Sequence, residues 1–227
     1  MTHSHPRLAP GLAFLFDMDG VIIDSNPLHR DAWIAYNRRF GLDTTEDMLA
    51  AMYGKRNDEI VRNYFGGDLA DEEVVARGAA KEALYREMLH GRLEQMLVPG
   101  LRDFLDEYRG VPMGIASNAE PANVDLIVEE AGLRPYFQAI VDGHQVVHPK
   151  PNPEIYLKVA DVLGISPAYC IVFEDSNTGV EAGIAAGMRV VGFRTTHGYL
   201  PGTSITVDNF MSGDLRAWLA SQEAVSG

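Results

Sequence analysis

Five consecutive apolar residues, Leu12, Ala13, Phe14, Leu15 and Phe16, break off at Asp17, and Asp19 and Gly20 follow at once. A short apolar run bounded in this way reads as a fully buried strand. Side chains alternate along an extended backbone, so Asp17 and Asp19 start on the same side. Gly20 supplies the backbone freedom for a turn. Two carboxylates at the carboxyl end of a strand repel each other unless a cation sits between them, and a hard divalent ion such as Mg²⁺ suits oxygen ligands. One carboxylate could then attack a phosphorus while the other carries a proton. Taken alone, the string also reads as a strand that ends in a polar turn.

The stretch that follows is helical. Asn26-Pro27 opens a helix, with Ser25 or Asn26 as its cap and Pro27 in its first turn. Leu28, Ala32, Tyr36 and Phe40 recur at helical spacing, and Gly41 closes the run. Further helical patterns cover residues 46–52, 58–65 and 72–89. No strand is expected between Pro27 and about Met96. Beyond residues 97–100 the pattern changes. Helices over 101–108, 121–131, 153–163, 179–186 and 213–221 alternate with strands over 113–116, 139–141, 169–173, 189–193 and 205–207. Strands separated by helices of this length make parallel βαβ units. The expected fold class is α/β, a Rossmann-like parallel sheet with helices on both faces and an inserted all-helical cap. Residues 1–25 and 98–227 form the core, and 26–97 the cap. Linkers near 24–26 and 97–100 would let the cap hinge over the site.

The 227 residues carry a formal charge of −13, which argues against a nucleic-acid or anionic-membrane partner. An anionic substrate would need local positive charge. Cys170 is the single cysteine, so an intrachain disulfide is excluded. With no apolar run long enough to span a membrane and no secretion signal in the polar first ten residues, a cytoplasmic protein is expected. His3 and His5 read as part of a disordered tail rather than a metal site. A monomer is expected.

Three later stretches place polar groups at strand ends, where ligands sit in such sheets. Ser117 and Asn118 follow the strand that ends at Ala116. Lys150 lies between Pro149 and Pro151, with Pro153 starting the next helix and the three prolines holding the loop extended. Glu174, Asp175 and Ser176 follow a buried strand, with Gly179 in the next helix start. Each piece alone has an ordinary reading as a turn residue, a solvated lysine or an acidic sheet edge.

The Asp17-Met18-Asp19-Gly20-Val21 string, Ser117, the Lys150-Pro151-Asn152-Pro153-Glu154-Ile155-Tyr156 stretch and the Glu174-Asp175-Ser176 pair, in this order over nearly the whole chain, resemble the motifs of the haloacid dehalogenase-like superfamily. The resemblance implies Asp17 as nucleophile and Asp19 as general acid/base. It implies Ser117 and Lys150 as stabilisers of the phosphoryl group, with Asn118 beside them on the substrate. Mg²⁺ would be the cofactor, held by Asp17, the Asp19 carbonyl and Asp175, with Glu174 assisting directly or through water. A dehalogenase needs neither Mg²⁺ nor a protonated leaving group, so Asp19 argues against one.

The helical insertion resembles the cap of the β-phosphoglucomutase and phosphoglycolate phosphatase group. That likeness implies substrate contacts from His29, Gly54, Lys55, Arg56 and Lys81. As residues they read equally as solvated surface of cap helices. Where the mutase holds a second phosphate, this chain has Asn57, with Arg56 one position away. It also has Ala119-Glu120-Pro121, which sets a carboxylate where that phosphate would lie. The resulting expectation is a Mg²⁺-dependent phosphomonoester hydrolase acting on a small phosphorylated metabolite, a sugar phosphate, through an aspartyl-phosphate. A β-phosphoglucomutase-type phosphosugar mutase is the alternative.

Overall fold

The computed structural model describes residues 11–222. The expectation for His3 and His5 lies outside them. The first strand, β1 (Ala13–Phe16), leads into five helices: α1 (Asn26–Arg38), α2 (Glu46–Ala50), α3 (Asn57–Phe65), α4 (Asp71–Leu89) and the short α5 (Leu93–Met96). Helix α6 (Leu101–Glu107), β2 (Met113–Ala116), α7 (Pro121–Glu130) and β3 (Ala139–Val141) come next. They are followed by α8 (Glu154–Leu163), β4 (Cys170–Glu174), α9 (Asn177–Ala185), β5 (Arg189–Phe193), β6 (Ile205–Val207) and α10 (Gly213–Ala220). The strands pair in parallel throughout, in the order β3-β2-β1-β4-β5-β6. This is the Rossmann-like α/β architecture expected from the alternation of strands and helices.

Alternation along β1 splits the core. Phe14 and Phe16 join Ile115, Phe173 and Phe193 on one face, under α6, α7 and α10, whereas Ala13 and Leu15 join Val172 and Val190 on the other, under α8 and α9. The first face is aromatic: Phe16 stacks on Phe173 with ring centroids 4.7 Å apart, and Phe104 and Phe210 close the cluster. Truncating one such buried ring to alanine typically costs about 3–5 kcal/mol. Both strands of that pair end in the site's acids, so this packing holds the acids in register.

The helical stretch has its own apolar cluster, with Trp33, Tyr36, Leu49 and Val61 at its centre. It is not isolated from the sheet. Leu28 and Ala32 of α1, and Tyr85 and Leu89 of α4, belong to the aromatic core instead. The chain segments entering and leaving the stretch run side by side. Ile23 and Leu97 form an antiparallel bridge, the Asp24 N–H donates to Met96 O at 2.8 Å, and the Val98 N–H donates to Ile22 O at 3.0 Å.

Three local readings need correction. Helix α1 ends at Arg38, before Phe40, because the Arg39, Phe40 and Gly41 N–H groups turn back onto the carbonyls three residues earlier. Phe40 is left half exposed, under the Arg77 guanidinium. Ser25 stands at the N-cap of α1 but makes no capping bond, since its hydroxyl donates to Asp19 Oδ1. The loop before α8 is turned rather than extended: the Asn152 N–H donates to Pro149 O at 2.9 Å, around a cis Lys150–Pro151 bond.

Candidate active site

The carboxyl ends of β1, β2 and β4, with the loop before α8, bring Asp17, Ser117, Asp175 and Lys150 to one cleft. Lys150 is 5% exposed. Its ammonium donates to Asp17 Oδ1 at 2.6 Å, to Glu174 Oε1 at 2.6 Å and to Ala116 O at 2.9 Å. Burial alone would depress that ammonium, but Asp17 and Glu174 more than offset it, and Lys150 is held above its ordinary range.

Carboxylate oxygens of Asp17, Glu174 and Asp175 lie within 4.8 Å of one another. Burial pushes Asp17 up to about 8, with Lys150 opposing the rise and Glu174 adding to it. Asp175 is raised well above the carboxylate range by burial and then by Asp17 and Glu174. Ionised together, three acids and one ammonium carry a surplus of two negative charges. An all-oxygen donor set with that surplus fits a hard divalent cation.

Glu174 is the most constrained of the three. Oε1 accepts from Lys150 and, at 2.7 Å, from the Tyr156 hydroxyl. Oε2 accepts from the Asp175 N–H at 2.9 Å and from the Ser176 N–H and hydroxyl, each at 3.1 Å. These five bonds occupy all of its roughly four lone-pair sites, with sharing at Oε2. A Cβ at Gly179 would lie 1.7 Å from Glu174 Oε1, so the first turn of α9 needs a residue without a side chain there. Asp175 is cradled from outside the four motifs. Asn26 Nδ2 donates to Oδ2 at 3.1 Å, and the Thr195 and Thr196 hydroxyls approach the same oxygen. Gly20 adopts φ +81°, and a Cβ there would strike Asp175 Oδ2 at 1.8 Å.

The Asp19 side chain leaves the acidic cluster. It accepts from the Ser25 hydroxyl and lies 3.4 Å from His29 Nε2. Burial would raise it, but His29 and then Ser25 outweigh burial and hold it below the usual range. His29 stacks on Tyr85 with centroids 3.8 Å apart, and its Nδ1 is 2.7 Å from Lys81 Nζ. Asp19, His29 and Lys81 therefore form a line from the sheet edge into α4.

The structure brings His29, Gly54, Lys55 and Lys81 into the cleft wall together with the sheet-edge groups. Arg56 is not among the lining residues: it stands at the N-cap position of α3 without a capping bond, with Nε 3.6 Å from Asp58 Oδ1. Ser117 is buried and its hydroxyl accepts from the Ala119 N–H at 3.1 Å. Asn118 ties sheet to helices, donating from Nδ2 to Gly54 O at 3.0 Å and accepting from the Lys150 N–H at 3.4 Å.

Glu120 does not face the cleft, contrary to expectation. It pairs with Arg86 of α4, which also donates to Asn123 Oδ1 at 2.7 Å. The acid in that wall is Glu82. Its Oε1 accepts from Lys81 Nζ at 2.7 Å and Asn57 Nδ2 at 2.8 Å, and its Oε2 accepts from Asn123 Nδ2 at 2.7 Å. Burial would raise Glu82, but Lys81 and His29 hold it at about 2. Sequence reasoning passed over Glu82, Asn123, Thr195 and Thr196. One signal was present: positions 74, 78, 81, 82, 85 and 89 form a single buried stripe on α4, so Lys81 and Glu82 are a charged pair on an apolar face. Thr195 and Thr196 stand just past the end of another buried strand, β5.

The family model for haloacid dehalogenase-like hydrolases matches residues 12–187. Fructose-1-phosphate phosphatase YqaB of Escherichia coli K12 is 34% identical over 181 residues, covering 79% of this chain and 95% of the relative. Hexitol phosphatase A of the same organism is 32% identical over 180 residues, 78% of this chain and 81% of its own. Among solved structures, β-phosphoglucomutase from Clostridium difficile superposes with a TM-score of 0.81 at 25% identity, over 92% of this chain and 96% of that one.

Proposed function

This chain belongs to the haloacid dehalogenase-like hydrolases, and from that premise we propose that it is a Mg²⁺-dependent phosphomonoesterase acting on a small sugar phosphate through an aspartyl-phosphate. The observation that carries the reading is the separation of two acids two residues apart. Asp17 sits in a buried cluster with Lys150, Glu174 and Asp175, while Asp19 points away to Ser25 and His29. One environment suits a nucleophile and the other a proton carrier.

Asp17, Asp175 and the Asp19 carbonyl would hold the ion, since Glu174 is committed to other partners. When bound, Mg²⁺ supplies charge neutralisation for an incoming phosphate and orients it. Lys150 holds Asp17 in a fixed rotamer and offers positive charge to the phosphoryl oxygens. The Ser117 hydroxyl and the Asn118 amide complete the donor set. Asp17 attacks phosphorus as the leaving oxygen departs with a proton, and water then attacks the phosphorus of the aspartyl-phosphate, an acyl phosphate, to release inorganic phosphate and restore the Asp17 carboxylate. A phosphate beside Asp19 raises its pKa, so that it gives a proton to the leaving oxygen and later accepts one from water. His29, pinned between Tyr85 and Lys81, positions Asp19 for both steps. Residues 26–97 act as a cap that closes over the cleft and excludes water, with the paired segments at Ile23 and Leu97 as its hinge.

The test is phosphate release from a panel of sugar and polyol monophosphates, with Mg²⁺ and with chelator. Turnover of at least one ester, abolished by chelation, supports the reading, and turnover of none overturns it. A phosphosugar mutase is a second reading, favoured by the likeness to the Clostridium enzyme. Formation of glucose 6-phosphate from β-glucose 1-phosphate with a trace of bisphosphate would establish it.

A further inference from the structure

We infer that Glu82 is a specificity-determining residue, an acid built into the helical wall of the cleft that turns away a second phosphate and selects esters whose remaining part is uncharged and hydroxylated. The inference rests on the phosphatase reading and names the kind of substrate that the site takes.

Glu82 lines the cleft yet is only 3% exposed. Both of its oxygens are held from three directions, by α3 through Asn57, by its own helix through Lys81 and by α7 through Asn123. It has no freedom to swing away from an incoming anion. Its carboxyl is held at about 2, so the charge is present at any working pH. The cation nearest to it gives no relief, because Lys81 already serves Glu82 and His29. The next cation on the helix, Arg86, is drawn off by Glu120 and Asn123 and does not line the cleft. Among the described residues the other cation of the helical lining, Lys55, follows Gly54 in the loop before α3, with Nζ 4.0 Å from Glu59 Oε2, so the stretch of wall around Glu82 holds one fixed anion whose neighbouring cations are already engaged.

The same wall is well suited to hydroxyl groups. The side-chain amides of Asn57 and Asn123 join Glu82 there, with the buried ring of Trp33 beside them. Carboxylate and amide oxygens accept from hydroxyls, amide N–H groups donate to them, and an indole face packs on the C–H face of a sugar or polyol. A second phosphate offers no donor to Glu82 and brings like charge into a partly desolvated space. Specificity of this kind works by repulsion as much as by attraction.

The experiment measures kcat and KM for a hexose 1-phosphate and the matching hexose 1,6-bisphosphate, in the wild-type chain and in Glu82→Gln. The wild type should favour the monophosphate in kcat/KM by about 100-fold or more. In Glu82→Gln the two KM values should move in opposite directions, up for the monophosphate and down for the bisphosphate, shrinking the preference by about tenfold or more. A purely structural role would raise both. Parallel movement of the two KM values, or an unchanged ratio, overturns the inference. If Glu82→Gln does not fold, Lys81→Met/Glu82→Gln, which removes both charges of the pair, carries the same comparison. If the wild type hydrolyses neither ester, the panel of sugar and polyol monophosphates decides the phosphatase reading, and calorimetric affinities of the two esters for the same proteins decide the role of Glu82.

Discussion

On the sheet side of the cleft three buried carboxylates, Asp17, Glu174 and Asp175, cluster beside one ammonium, that of Lys150, which pairs with Asp17 and Glu174. On the helix side one carboxylate, Glu82, shares one ammonium, that of Lys81. Both pairs are almost fully buried and both are completed by hydrogen bonds, so the walls differ in charge balance rather than in construction. A surplus of negative charge calls for a cation, and on the sheet side a divalent ion would offset it and leave room for a phosphoryl group. A balanced pair ringed by amides calls for no further charge and pairs best with hydroxyls. On the proposed reading, one cleft would receive the charged and uncharged ends of a phosphate ester on opposite walls.

The harshest way to break this comparison is to neutralise the sheet side at its nucleophile. Asp17→Asn should lower phosphate release by about 10⁴-fold or more while the chain melts as a folded protein. Substantial residual turnover would remove Asp17 from the chemistry. The next step strips each wall of its cation. Lys150→Met removes the cation shared by two buried carboxylates, Asp17 and Glu174, and although Glu174 keeps its hydroxyl and backbone donors the change should cost about 3–5 kcal/mol of stability. Lys81→Met strands one carboxylate that keeps two amide donors, and should cost less. Denaturant titration of the two variants ranks them, and the reverse ranking would contradict the charge accounting.

A gentler probe sharpens the helix side through pH. Glu82 is held at about 2, below its ordinary 4.5, so its stabilising contribution is complete above about 4.5 and is lost as the pH falls towards 2. The stability difference between wild type and Glu82→Gln should therefore shrink over that window by on the order of 3 kcal/mol. Urea titrations on the neutral and acid sides of the window check it, and a constant difference would show that the charge on Glu82 does not matter. The smallest expected effect joins the walls. Asn118→Ala removes the bond to Gly54 O that fastens the sheet edge to the helical loop. It should cost about 1 kcal/mol, seen in steady-state kinetics as a rise in KM larger than any fall in kcat.

Much of the sheet side was legible before any coordinates. Asp17, Ser117, Glu174 and Asp175 each end a run of apolar residues, and such runs are local signals of buried strands. Gly20 and Gly179 were readable as turn and helix-start glycines, although only the structure shows that each makes room for a carboxylate. The helix side was read less well. Glu120 looked like the acid of the cleft because it follows Ser117 closely in the chain, yet it turns outward to Arg86. Glu82 was passed over because a charged residue on a long helix reads as solvated unless the buried stripe beneath it is traced. Ser25 and Asn26 read as helix caps, and both spend their side chains on the acids Asp19 and Asp175 instead.

The amino-acid sequence by itself determined the order of strands and helices, the placing of acids, hydroxyl and lysine at strand ends, and the surplus of negative charge at one edge. These follow from patterns a few residues long, where hydrophobic periodicity and turn chemistry act. The tertiary structure alone decided which acid enters the cleft, which cation it keeps, and which amides complete it. Glu82 meets Asn123 across 41 positions of chain, and that meeting depends on how α4 lies against α7. Packing of two helix faces sets it, and no local pattern encodes it.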